Sequence, residues 1–409
     1  MGYGRAAIPA LAGGLLVTAL LWWAGASDEV LRLQGSTRVF GPEGVGDLQR
    51  WLAPWSYDTA EWVRVRVEPP GGGTGDGGRY LSLYSTAMQI RFFAVFAFFV
   101  PGALLLVRRL PPVNGRVPAA LLALWAWGVV AGTLAVAVSA PWMVAAAGRG
   151  SYRFLPALSG LMSAGRQILV PAALLAAVVT VLVARATAQG AGALPRREAP
   201  ARAARAAATV GAAVVALSLV VLSYDRVAAE IQGVTVSGGL LSEPGDLLRQ
   251  WLLLGGWSGP AGTSYGHWLL YRAADVLLLA VVWCGLRWLP GLLTRVSVHA
   301  MAACGVCVTV IGLLVSQLLH AVVEMTGSYG LAYGPLRVFA NLGNGVPAAL
   351  VWGTLAGCAA VVTYRLCGGG RTHTPGTDTP GTDTTGTQAP DVPPPPPYPP
   401  AAAPEPTAT

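Results

Sequence analysis

A chain of 409 residues that is 54% hydrophobic and only 11% charged, with a mean hydropathy of +0.55, carries too little charge to clothe a soluble surface, where about a quarter of residues are ordinarily charged. The net charge of +8 comes from 27 basic residues, all of them arginine. Much of that excess lies in short loops between apolar segments, as lipid-inserted chains require, so nucleic acid is not an expected partner.

The Arg, Ala, Gly and Pro load reads as a GC-rich, actinobacterium-like coding bias. The five cysteines, Cys284, Cys304, Cys307, Cys358 and Cys367, lie in or beside apolar segments of the second half. No disulfide framework is readable from them.

In chain order, the first apolar run is Ala6 to Ala24, with Pro9 near its start. Arg5 in front and the small residues Ala24-Gly25-Ala26 behind give it the look of a signal peptide. Its internal counterpart, Ala206 to Tyr224, cannot be one, so both are read as first helices of a unit. Further runs are Met88 to Val107, Val117 to Ala140, Ile168 to Ala184, Tyr271 to Leu289, Val296 to Leu319 and Val346 to Tyr364. Each is long enough to cross a hydrocarbon core of about 30 Å, so eight spans are expected, four per half.

Gly150 to Leu174, GSYRFLPALSGLMSAGRQILVPAAL, is answered by Gly327 to Leu350, GSYGLAYGPLRVFANLGNGVPAAL. The correspondence extends outward: Asp28 and Val30 with Asp225 and Val227, and Gln34-Gly35 with Gln232-Gly233. Gly46-Asp47-Leu48 matches Gly245-Asp246-Leu247, Trp51-Leu52 matches Trp251-Leu252, and Trp55-Ser56 matches Trp257-Ser258. Leu110-Pro111 matches Leu289-Pro290, and the register drifts mainly at the Gly71 to Gly78 insertion. An even number of spans per unit sets both copies the same way up.

The expected fold is therefore all-α, a polytopic helical bundle of two parallel four-helix repeats whose small outer loops contain short strands. Residues 1–187 form repeat one with outer loop 25–87, residues 188–205 a cytoplasmic linker, and residues 206–367 repeat two with outer loop 225–270. Arg108, Arg109, Arg116, Arg185, Arg287 and Arg365 fall on one side if both termini are cytoplasmic, which places the chain in the cell membrane with its long loops outside. Glu61 to Glu68, EWVRVRVE, alternates as a strand with one wet face. The Gly-Asp-Leu segments ending in Trp51 and Trp251 suit the bilayer interface.

Polar residues near the outer ends of spans six to eight are the candidate site, because charge inside a bilayer is costly and faces protein or water. Arg272 and Asp275 are three apart and His320 and Glu324 four apart, so each pair shares a helix face. Gln317, Asn341 and Asn344 lie at similar depth, and the first half supplies Gln89, Arg91, Arg166 and Gln167 without carboxylates. Pairing of basic groups from one half with acidic groups from the other, Arg91 with Asp275 for example, would make a polar outer vestibule between the halves for a solute, headgroup or partner.

Cys304-Gly305-Val306-Cys307 has CxxC spacing but sits inside an apolar helix, where small residues serve close helix packing. Gly256-Trp257-Ser258-Gly259, with His267 after it, resembles over four residues the G-x-S-G signature of rhomboid-like intramembrane proteases. Its serine falls in an outer loop, and the partner stretch Pro54-Trp55-Ser56 lacks the pattern. No enzymatic activity, cofactor or metal is expected. A helix, a long outer segment and three further helices, given twice, resembles the four-span unit of FtsX-like transporter permeases, which implies a separate ATPase as partner. The loops Arg108 to Arg116 and Arg287 to Arg295 are short and broken by prolines, so only the linker Arg185 to Arg205 has room for docking.

From residue 368 the composition turns to Thr, Pro and Gly, with a Thr-Pro-Gly-Thr-Asp theme and Pro393 to Pro400 around Tyr398. Such a tail buries no core and is expected to be a disordered cytoplasmic extension. Duplicated helical units with polar clefts are common in transporters, so the expected function is a transporter or permease-like subunit. The alternative is a membrane scaffold or envelope sensor that binds an envelope protein through its outer loops.

Overall fold

The computed structural model describes residues 3–27, 36–58, 77–112, 115–147, 154–187, 200–236, 239, 241–259, 265–294, 296–326 and 339–369. The strand expected over Glu61 to Glu68, the Gly-Ser-Tyr openings of the repeated stretch and the Pro-rich tail lie outside the described residues.

Eight helices among the described residues are long and apolar enough to cross a bilayer, spanning Gly4–Ala26, Gly78–Arg109, Val117–Ala146, Arg166–Thr187, Ala201–Leu222, Trp268–Leu292, Val298–Met325 and Val346–Gly368. They take helical form because hydrocarbon offers no partner to a backbone N–H or C=O, so every such group must be satisfied within its own segment. Apolar side chains on the outside of the bundle, Leu15, Val276 and Leu182 among them, are exposed where lipid would meet them. The chain is a multi-pass membrane protein.

The α-helices among the described residues are α1 (Tyr3–Ala26), α2 (Ser36–Leu52, kinked at Gly41), α3 (Gly77–Arg109), α4 (Val117–Ala146), α5 (Phe154–Ser163), α6 (Arg166–Thr187), α7 (Ala201–Ala216), α8 (Asp225–Gln232), α9 (Gly245–Leu252), α10 (Tyr265–Leu292), α11 (Val298–Thr326) and α12 (Val346–Tyr364). In the first half α1 packs on α3 and α6, and α4 closes the ring against the same two. In the second, α7 packs on α10 and α12, and α11 closes the ring. The halves meet through α4 against α11 and α12, α3 against α11, and the short α5 against α9. No β-strand occurs among the described residues; the loop after α9 makes only an isolated parallel bridge, Tyr224 with Trp257.

The proline positions agree with their physics. Pro347 sits in the first turn of α12, where its missing N–H costs nothing. Pro101 and Pro171 lie inside α3 and α6 without interrupting them. The one departure from α-geometry that shapes the site is the π-turn Leu217–Leu222 at the end of α7, where Ser223 N–H donates to Ser218 O at 3.0 Å. The widened turn presents Ser218 Oγ to Leu252 O at 2.6 Å and receives Leu254 N–H at 3.3 Å. Ser218→Ala removes both bonds at a fully buried position, and is expected to lower stability by about 1–2 kcal/mol, read as a lower melting temperature in detergent with the fold otherwise intact.

Candidate functional site

The loop that Ser218 anchors runs over the start of α10 and the end of α11. Between them lies a cavity of about 700 Å³. Its walls come from α9 and the following loop (Gln250, Leu254, Trp257), from α10 (Tyr271, Arg272, Asp275), from α11 (Gln317, His320, Glu324), from the turn before α12 (Asn341, Asn344), and from the first half at Ser159, Ser163 and Arg166. The turn before α12 reaches this place through Gly345, whose φ of +78° is the left-handed region that glycine tolerates best.

Eight of the nine residues singled out from sequence line this one cavity: Arg166, Arg272, Asp275, Gln317, His320, Glu324, Asn341 and Asn344. Some of their contacts stay within the second half. Arg272 Nη1 meets Asp275 Oδ2 at 2.6 Å, both side chains about a quarter exposed or less, and the guanidinium lies 5.5 Å over the Trp257 ring. Gln317 clamps the turn before α12, donating to Asn344 O at 2.7 Å and accepting Gly343 N–H at 2.8 Å. Across the halves, Arg166 Nη1 donates to Asn344 Oδ1 at 3.1 Å, and Gln167 Nε2 donates to Ala340 O at 2.6 Å. Tyr271 and His320 pack ring to ring at 5.0 Å.

Arg91 is the exception, and the pairing of Arg91 with Asp275 does not form. Asp275 already has Arg272 one turn away on its own helix, whereas Arg91 is 1% exposed inside the first half. There Arg91 Nε donates to Ser139 Oγ at 2.9 Å, Nη1 donates to Pro54 O, and the guanidinium lies 5.7 Å over the Trp55 ring. The indole in turn donates to Gly165 O at 3.0 Å. In the first half an arginine of the second span thus sits over the tryptophan of a Trp-Ser pair, and both side chains are almost wholly buried. In the second, Arg272 lies over Trp257 and both line the cavity.

Several lining groups were not legible as site residues: Gln250, Trp257, Trp268, Tyr271 and Ser316. Gln250 and Trp257 depend on the path of the loop after α9, which helical periodicity does not report. Asp246 and Arg249 also reach the rim. Gln232 ties them together, donating to Asp246 Oδ1 at 2.7 Å and accepting from Arg249 Nη1 at 2.6 Å. Ser258 lies on the cavity too, with its carbonyl accepting from Trp268 Nε1 at 2.9 Å.

The cavity is polar at its mouth and apolar at its floor. Leu219, Leu278 and Leu313 line the bottom. Beneath them Val282, Leu286, Val310 and Leu314 are almost wholly buried. Among the described residues, the buried side-chain polar atoms without a hydrogen-bond partner are Gln250 Nε2 and Oε1, Arg272 Nε and His320 Nε2. All four belong to residues of this cavity. Such atoms cost roughly 1–3 kcal/mol each when left unsatisfied, so the polar cost of this part of the fold is concentrated in the cavity's own residues. Comparison with protein families, with curated proteins and with solved structures finds no match for this chain.

Proposed function

We propose that the protein is a permease-like membrane subunit, built from two parallel four-span repeats, whose ligand enters the cavity from outside the cell while both termini face the cytoplasm. The observation that carries this reading is the gathering of charged and polar side chains from both halves, Arg166 with Arg272, Asp275, His320 and Glu324, around one roomy cavity.

The duplication is supported by three correspondences. The helices of each half pack in the same order. An arginine lies over a Trp-Ser tryptophan in each. The Gly-Asp-Leu segment carries an acid and a base three apart in both, Asp47 with Arg50 at 2.9 Å and Asp246 with Arg249 joined through Gln232. A parallel repeat with its binding place at the junction is a known transporter plan. One half has kept the place open and the other has filled it with Trp55 and Arg91. A separate ATPase would have to dock through the linker between α6 and α7.

The packed apolar floor favours a second reading, a membrane receptor or scaffold that binds an envelope component without passing it on. Alternating access separates the two. With the native cysteines replaced, Leu313→Cys in inverted vesicles is expected to react with a membrane-impermeant thiol reagent from the cytoplasmic face in a permease. Reaction from the outer face alone would leave the receptor.

A further inference from the structure

We infer that the cavity takes a zwitterion, an anionic group held by Arg166 and a cationic group held by Glu324; this rests on the vestibule reading above. The inference starts from which charges are already matched. Arg272 and Asp275 neutralise each other at 2.6 Å, and Asp246 and Arg249 are joined by Gln232. Two charged groups on the cavity are left over.

Arg166 is only 4% exposed. Its guanidinium donates to Met162 O through Nε at 3.3 Å and through Nη2 at 3.2 Å, and to Asn344 Oδ1 through Nη1 at 3.1 Å. These acceptors are neutral, and among the described residues no carboxylate stands within ion-pair distance of it. A buried guanidinium without a counter-ion is costly unless something anionic completes it, and two of its five N–H donors remain beyond the three contacts named. Glu324, on the wall of the same cavity, likewise has no basic group within ion-pair distance among the described residues. A cavity wall that carries a carboxylate and the aromatic side chains Tyr271 and Trp268 offers an ammonium group both charge and ring faces.

On its walls three arginines stand against three carboxylates, so their charges balance. A plain anion at Arg166 would leave Glu324 without a partner, and a plain cation would leave the buried Arg166 without one. A ligand carrying both charges satisfies both walls, and a volume of about 700 Å³ lies in the range of small-molecule pockets. The zwitterion has two sources, a free solute or the headgroup of a membrane lipid.

The test uses the full chain in a non-ionic detergent and in nanodiscs, with binding followed by the emission of Trp257 and Trp268 and by calorimetry. The probes are glycerophosphoethanolamine and glycine as zwitterions, inorganic phosphate as the anion alone and ethanolamine as the cation alone. At least one zwitterion is expected to bind, with both single-charge probes weaker by about tenfold or more. Glu324→Gln should weaken the zwitterion by about tenfold or more and leave phosphate unchanged, and Arg166→Gln should weaken both. Glu324 lies near the helix end, so its variant keeps the test valid should Arg166→Gln fail to fold.

Competition by phosphatidylethanolamine in nanodiscs would assign the lipid source. Undiminished binding there would assign the free solute. Phosphate binding as tightly as the zwitterions, or wild-type affinity in Glu324→Gln, overturns the inference and leaves the vestibule standing. Failure of both zwitterions to bind at millimolar concentration also overturns it, and the vestibule is then judged by thiol accessibility alone.

Discussion

Gly353→Leu is expected to abolish a stable folded chain. At this position α11 and α12 touch backbone to backbone: a Cβ on Gly353 would stand 2.6 Å from Val306 Cα and 3.0 Å from Gly305 O. One turn on, a Cβ on Gly357 would stand 2.3 Å from Met301 O. Gly353 and Gly357 form a G-x-x-x-G pair, the small-residue seam that lets membrane helices approach closely where the hydrophobic effect does not drive them together. Backbone atoms cannot rotate away as a side chain can, so leucine forces the helices apart along the seam that joins the second half. A loss of at least about 3 kcal/mol is expected, read as loss of the thermal transition and of the monodisperse peak in detergent. Gly160→Ala, at a site with nothing within 4 Å of the added carbon, should stay within about 0.5 kcal/mol of the parent. Parent-like melting of Gly353→Leu would refute the contact.

Arg91→Met is the second large effect, and its contrast with Arg272→Met carries the meaning. Arg91 is enclosed, bonded to Ser139 and Pro54 and stacked on Trp55. Truncation strands those acceptors in a dry site, at a cost of about 3 kcal/mol. The Arg272 side chain is a quarter exposed, is paired directly with Asp275 at 2.6 Å and has one nitrogen without a partner. Its removal should change stability by no more than about 1 kcal/mol. Equal losses for the two variants would mean that the filled half and the open half are not distinguished as described.

The eight crossings could be read from sequence because the bilayer imposes both a length and a hydropathy on each helix, with no help from tertiary context. Their ends were read short. Met88 to Val107 became Gly78–Arg109, because the polar stretch before Met88 continues the helix, with Ser82 Oγ donating to Arg79 O and Thr86 Oγ1 to Ser82 O, both at 2.8 Å. The site divided along the same line. His320, Glu324, Arg272 and Asp275 were legible because three- and four-residue spacing fixes a shared helix face. The destination of Arg91 depended on where the Trp55 loop folds. Gln250 and Trp257 depended on a π-turn that Ser218 and Ser223 stabilise by bonding a distant loop, and no local pattern announces that. Gly305 inside the CxxC was correctly read as a packing residue, and its close approach to Gly353 O is the reason.

The most direct measurement of the central claim, that a water-filled vestibule opens on the outer face, is thiol labelling of His320→Cys in intact cells after the native cysteines are replaced. A membrane-impermeant reagent added outside is expected to modify His320→Cys rapidly, and to leave Val310→Cys, wholly buried below the floor, unmodified until the protein is denatured. Modification of His320→Cys only from the cytoplasmic side, or only after denaturation, would contradict the account.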